Sequence, residues 1–125
     1  MADHARVQLA KLARGEKLMT EFPYLVQTWT FGGDLAMVML AGEVVVDYSL
    51  RLKREFDSER MWVNAYVNDR PCYIPSERVL REGGYEGGFV MFRSPRFPTR
   101  IAPGVEERIM GAVHALLPAG FKVTP

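Results

Sequence analysis

The apolar positions of this chain change spacing along its length, and each change predicts a new element. Val7, Leu9, Ala10, Leu12 and Ala13 give a short helical pattern that ends near Gly15, a residue suited to closing a helix. Tyr24 to Phe31 is rich in β-branched and aromatic residues, and Gly32-Gly33-Asp34 separates it from a second run, Leu35 to Leu40. The pair predicts a β-hairpin about a glycine-rich turn. The second run reads Leu-Ala-Met-Val-Met-Leu with no polar alternation, so it is expected to be covered on both faces, like a central strand of a layered α/β domain.

Beyond Ala41-Gly42-Glu43 the spacing becomes helical. Val44, Val45, Tyr48, Leu52 and Phe56 share one face, and the charged residues fall mostly on others, which predicts an amphipathic helix over Val44 to Phe56. Met61 to Val67 returns to strand character, and Asn68-Asp69-Arg70-Pro71 is turn chemistry. Ser76 is a good helix cap, so Glu77 to Arg81 is expected to form a short helix, stopped by Gly83-Gly84. Phe89 to Phe92 is expected to be a strand, and Ser94 to Pro103, with three prolines, a loop. A last helix is expected with Val105, Ile109, Val113 and Leu116 on one face and Pro118 as its stop. This order predicts an α/β fold, α+β being the alternative: one layered domain over residues 1–125, a mixed sheet with helices packed on it.

Composition narrows the function classes. Of 125 residues 48% are hydrophobic and 25% charged, which is globular and excludes disorder and collagen-like repeats. Sixteen Lys and Arg against fifteen Asp and Glu leave a net charge of +1, so no nucleic-acid partner is indicated. The one cysteine, Cys72, excludes an internal disulfide and a cysteine metal knuckle. No apolar run reaches the roughly 18 residues of a membrane span. The first residues, Met1-Ala2-Asp3-His4-Ala5-Arg6, do not read as an export signal, and a cytoplasmic location is the expectation.

Three stretches are candidates for chemistry. Glu43 lies between an apolar strand and a helix, where the helix dipole would keep a carboxylate ionised and ready for a cation; a plain first-turn glutamate is the simpler account. In Glu82-Gly83-Gly84-Tyr85-Glu86-Gly87-Gly88, four glycines bracket a tyrosine and a glutamate, without the Lys-Ser/Thr of a P-loop or the spacing of a dinucleotide site. Cys72 as a nucleophile would need His4 or His114 as its base, and a passive thiol is the expectation. His114 shares a helix face with Met110 and Leu117 and has no second histidine one turn away, so it reads as a packed helix histidine.

Taken together, Gly42-Glu43, Asn64-Ala65-Tyr66, Ile74-Pro75, Gly84-Tyr85-Glu86-Gly87 and Ala102-Pro103-Gly104-Val105-Glu106 resemble, in order, the carboxy-terminal part of the catalytic domain of neutral/alkaline non-lysosomal ceramidases, bacterial ceramidase-like proteins in particular. The resemblance covers about Arg14 to about Leu117. In that family a zinc ion is held by two histidines, a glutamate and a tyrosine, and the resemblance places the last two at Glu43 and Tyr85. It implies hydrolysis of the amide bond of N-acyl sphingolipids. The family's zinc histidines lie upstream of the matched region, and neither His4 nor His114 stands in a matching context. The chain is therefore expected to be a fragment or split portion of such an enzyme, inactive alone, whose partner is the histidine-bearing part. The alternative is a non-catalytic module on the same scaffold that self-associates.

Overall fold

A computed structural model describes residues 2–123. The expected hairpin is present: β1 (Val26–Phe31) and β2 (Leu35–Leu40) pair antiparallel, with Phe31 opposite Leu35 and Trp29 opposite Met37. The turn closes through Asp34 N–H donating to the Phe31 carbonyl at 3.2 Å, with Gly32 at φ +57°. After β3 (Glu43–Val44), α2 (Val46–Glu55) crosses back, and β4 (Met61–Asn64) joins the free side of β2 in parallel, so β2 is central. A second, two-residue parallel ladder pairs β3 with β5 (Tyr73–Ile74), Glu43 opposite Tyr73. The fold is thus α/β with a mixed sheet.

Four α-helices complete it. The first, α1 (Ala2–Ala13), turns His4, Gln8 and Lys11 toward the 92–98 segment, where Gln8 and Lys11 both donate to the Pro95 carbonyl. The third, α3 (Glu77–Glu82), is capped by Ser76 Oγ accepting from Val79 N–H. The last, α4 (Val105–Leu116), buries Ile109, Met110 and Val113. Its expected core position Leu116 is exposed, and Leu117 just beyond the helix is buried instead. These helices and one face of the sheet enclose a core of Val38, Leu40, Tyr48, Leu52, Phe56 and Ile74. No helix among the described residues is long and apolar enough to cross a membrane.

Three expectations are corrected. Helix α2 begins at Val46, so Glu43 is a strand residue: Glu43 N–H donates to Cys72 O at 3.0 Å and Val45 N–H to Ile74 O at 3.2 Å, and this pairing delays the helix. Phe89–Arg93 is a 3-10 turn instead of a strand, because Phe89, Val90 and Met91 N–H groups donate back to Gly84, Tyr85 and Gly88. Finally, β2 is fully covered on one face and only partly on the other. Ala36, Val38 and Leu40 are buried on the first; on the second Met39 is buried, while Leu35 and Met37 are half-buried beside Trp29, Phe31 and Trp62, which are 55%, 54% and 57% exposed.

Candidate functional site

The site is built where β2 ends. Gly42, at φ +75°, donates its N–H to Asp69 O at 2.8 Å, and its carbonyl accepts from Tyr66 N–H at 2.9 Å. A Cβ at Gly42 would lie 2.7 Å from Cys72 O and 3.0 Å from the Ile74 side chain, so only glycine lets the 66–74 segment close over this point. Tyr24 Oη secures the preceding turn by donating to Ala41 O at 2.7 Å. The clasping loop carries Tyr66 at φ +59°, a left-handed conformation that costs a bulky residue energy and persists only where surrounding bonds enforce it. Here those bonds are the Gly42 contact and Val67 N–H donating to Leu40 O.

This closure, with the β3–β5 register, gathers tyrosines about Glu43. The hydroxyls of Tyr66 and, after it, Tyr73 act on the Glu43 carboxylate and hold it below the usual carboxylate range, and the Arg70 charge acts in the same direction. Reciprocally, the Glu43 carboxylate raises Tyr66, and pushes Tyr73 up to about 12. Tyr85 packs edge-on against Tyr73, with ring centroids 5.6 Å apart, and the Arg93 guanidinium lies 5.8 Å from the Tyr85 centroid. The two sequence-selected residues, Glu43 and Tyr85, therefore each adjoin Tyr73; Glu43 lines the cleft there and Tyr85 does not, and neither belongs to the core. Beside them a cleft of about 270 Å³ opens between the 70–73 and 90–97 segments.

The donor set suits a cation only in part. An ionised carboxylate and phenol oxygens are acceptable ligands to a divalent metal such as zinc. Among the described residues, however, no group of three or more His, Cys, Asp and Glu side chains is arranged to hold a metal ion. His4 Nε2 lies 3.2 Å from Pro98 O, with its ring edge-on to Phe92; His114 pairs with Glu55 and stacks on Phe56, at a centroid distance of 4.6 Å. Both histidines thus serve contacts of their own. Cys72 is passive as expected: burial pushes its thiol up to about 12.

Tyr66, Tyr73, Arg70 and Arg93 were not singled out for roles from the sequence. Tyr66 sits in a stretch that carries the family resemblance, but nothing local says that its hydroxyl reaches Glu43. Tyr73 meets Glu43 only through a two-residue ladder, too short to leave a periodic signal. Comparison with family models, with curated proteins and with solved structures finds no match for the chain.

Proposed function

We propose that this chain supplies the Glu43–Tyr85 side of a zinc-dependent amide hydrolase centre of the neutral ceramidase type, acting on N-acyl sphingolipids once two histidines from another part of the enzyme complete it. The observation that carries the reading is that an ionised Glu43 and an exposed Tyr85 each adjoin Tyr73, near the carboxyl end of the central strand. Zinc in such a centre supplies Lewis acidity and an activated water. Glu43 offers the anionic ligand, and Tyr66 and Tyr73 orient its carboxylate as outer partners, fixing which oxygen is free. Tyr85 offers its phenol oxygen as the second ligand from this chain. Asn64 Nδ2, at the end of β4, is buried without a hydrogen-bond partner, a state that suits a surface completed by further chain.

The test is a zinc titration of the chain alone and together with the histidine-bearing polypeptide. Weak binding alone, and zinc-dependent amide hydrolysis only with both parts, is the expected result; Glu43→Gln abolishes that hydrolysis and Tyr85→Phe strongly reduces it. Stoichiometric micromolar zinc in the chain alone, lost in Glu43→Gln, would overturn the need for outside histidines. Failure of the reconstituted pair to cleave any N-acyl sphingolipid would overturn the assignment.

A second reading, a self-associating module without catalysis, is favoured by the open sheet face. Trp29, Met37 and Trp62 are aligned across β1, β2 and β4 on that face, and exposed apolar surface of this kind commonly marks an interface.

A further inference from the structure

The cleft beside Glu43 contains charge that the metal reading does not use. Arg70 and Arg93 line the cleft with Arg96 next to it, and none of the three has a carboxylate within 4.0 Å among the described residues, although the Arg70 charge acts on Glu43 from farther off. Arg93 lies over the Tyr85 ring and Arg96 over the Phe97 ring, contacts that position a guanidinium without neutralising it. Ser94 Oγ accepts from Arg96 N–H at 3.2 Å, which leaves its own proton free to donate into the cleft it lines. Glu43 also lines the cleft but is already engaged by Tyr66 and Tyr73. The remaining wall is formed by Pro71, Cys72, Tyr73 and Val90 over a floor of Met91 and Phe97, which are almost fully buried, while Val90 stands half-buried between solvent and the cleft.

From this arrangement we infer that the cleft binds a small amphipathic anion, its head held by Arg70, Arg93 and the Ser94 hydroxyl and its apolar body laid on Val90, Met91 and Phe97. Guanidinium forks are suited to bidentate recognition of carboxylate or phosphate oxygens, so the head is one of these two. The volume, about 270 Å³, lies just under the usual range for small-molecule sites and limits the ligand to a compact body. This inference needs neither zinc nor hydrolysis.

Isothermal titration calorimetry in the presence of a chelator separates it from the reading above. Octanoate is expected to bind at one site per chain, with octan-1-ol and acetate each about tenfold weaker or worse, since one lacks the charge and the other the apolar body. Octyl phosphate distinguishes the heads: tighter binding than octanoate assigns phosphate, weaker binding assigns carboxylate. The variant carrying Arg70→Gln and Arg93→Gln, both at exposed positions, is expected to lose at least about tenfold for octanoate and nothing for octan-1-ol. Val90→Asn, which keeps both arginines and adds no charge, is expected to weaken octanoate and leave acetate unchanged. Equal affinity for octanoate and octan-1-ol, or undiminished octanoate binding in the double arginine variant with an unchanged circular dichroism spectrum, would overturn the inference and move the binding to the open sheet face.

Discussion

Gly42 decides whether the site closes. Its positive φ and the 2.7 Å approach of Cys72 O make Gly42→Ala costly on two counts, about 2–4 kcal/mol by urea denaturation, against at most about 1 kcal/mol for Gly15→Ala, where φ is also positive but nothing lies within 4 Å. Glu43 gives a pH signature. Its folded pKa lies below the ordinary 4.5, so its contribution to stability is full above that value and is lost as pH falls through the folded one. Tyr73 works in the opposite sense: raised from 10.0 to about 12, it contributes in full below pH 10 and loses that contribution as pH climbs through 12. Carboxyl NMR titration of Tyr66→Phe and Tyr73→Phe should show Glu43 moving up toward 4.5 in each; an unmoved Glu43 would mean that the hydroxyls do not hold it. The sequence made Glu43 a candidate through its place between strand and helix, and the expected ionisation agrees with the structure. The cause differs, because hydroxyls from two other segments do what the helix dipole was expected to do, and the first turn of α2 holds Asp47 instead. No spacing along the chain encodes such a contact between segments.

At the level of elements, helices and the hairpin were legible because each carries its own period and stop signals, Ser76 capping α3 and Gly15 following α1 among them. Phe89–Phe92 misled because a short apolar run is compatible with strand or turn, and the choice was made by the glycines before it. A Cβ at Gly87 would sit 2.4 Å from Gly83 O and 2.5 Å from Val79 O, so the chain coils tightly onto the end of α3 before it reaches Phe89. Ion pairs then join elements that the pattern could only name. Arg51 on α2 bonds Glu55 on its own helix and Glu106 and Glu107 on α4, with its side chain 22% exposed. Asp47 on α2 similarly takes the Ser76 hydroxyl and the Arg78 guanidinium of α3. Removing Arg51 leaves three carboxylates facing one another, and Arg51→Met is expected to cost about 1–3 kcal/mol near neutral pH. Glu55 and Glu107 are held below 4.5 in the fold, so that cost should shrink as pH falls below 4.5 and the carboxylates protonate. A loss independent of pH would assign the effect to packing of the arginine stem instead.

On the scale of the whole molecule, one face of the three-stranded sheet is covered only in part. The chain exposes 7809 Å² against roughly 6,800 Å² expected for a folded monomer of its mass, an excess of about 1,000 Å² that compares with the roughly 800 Å² each partner buries in a standard interface. Part of that surface is the row formed by Trp29, Met37 and Trp62, with Phe31 and Leu35 beside it. The sequence showed that β2 is apolar throughout, which in a strand with a parallel neighbour implies cover on both sides; within this chain the second face is covered at Met39 and left partly open at Leu35 and Met37. The unbroken run Leu35 to Leu40 thus specifies a face that the described residues cover only in part. Two occupants satisfy it, the histidine-bearing part of the proposed enzyme or a second copy of the chain, and they differ in what light scattering reads. Alone, the chain is expected to associate at micromolar concentrations, and Trp29→Lys with Trp62→Lys should return it to a monomer while changing stability by under about 1 kcal/mol, since both side chains are more than half exposed. When the histidine-bearing polypeptide is added, a one-to-one complex should replace the self-association, and the lysine pair should weaken that complex as well. A monomeric wild-type chain, with both tryptophans open to acrylamide quenching and unchanged by the added polypeptide, would show that this face is no interface at all and that the domain is stable with that face partly open.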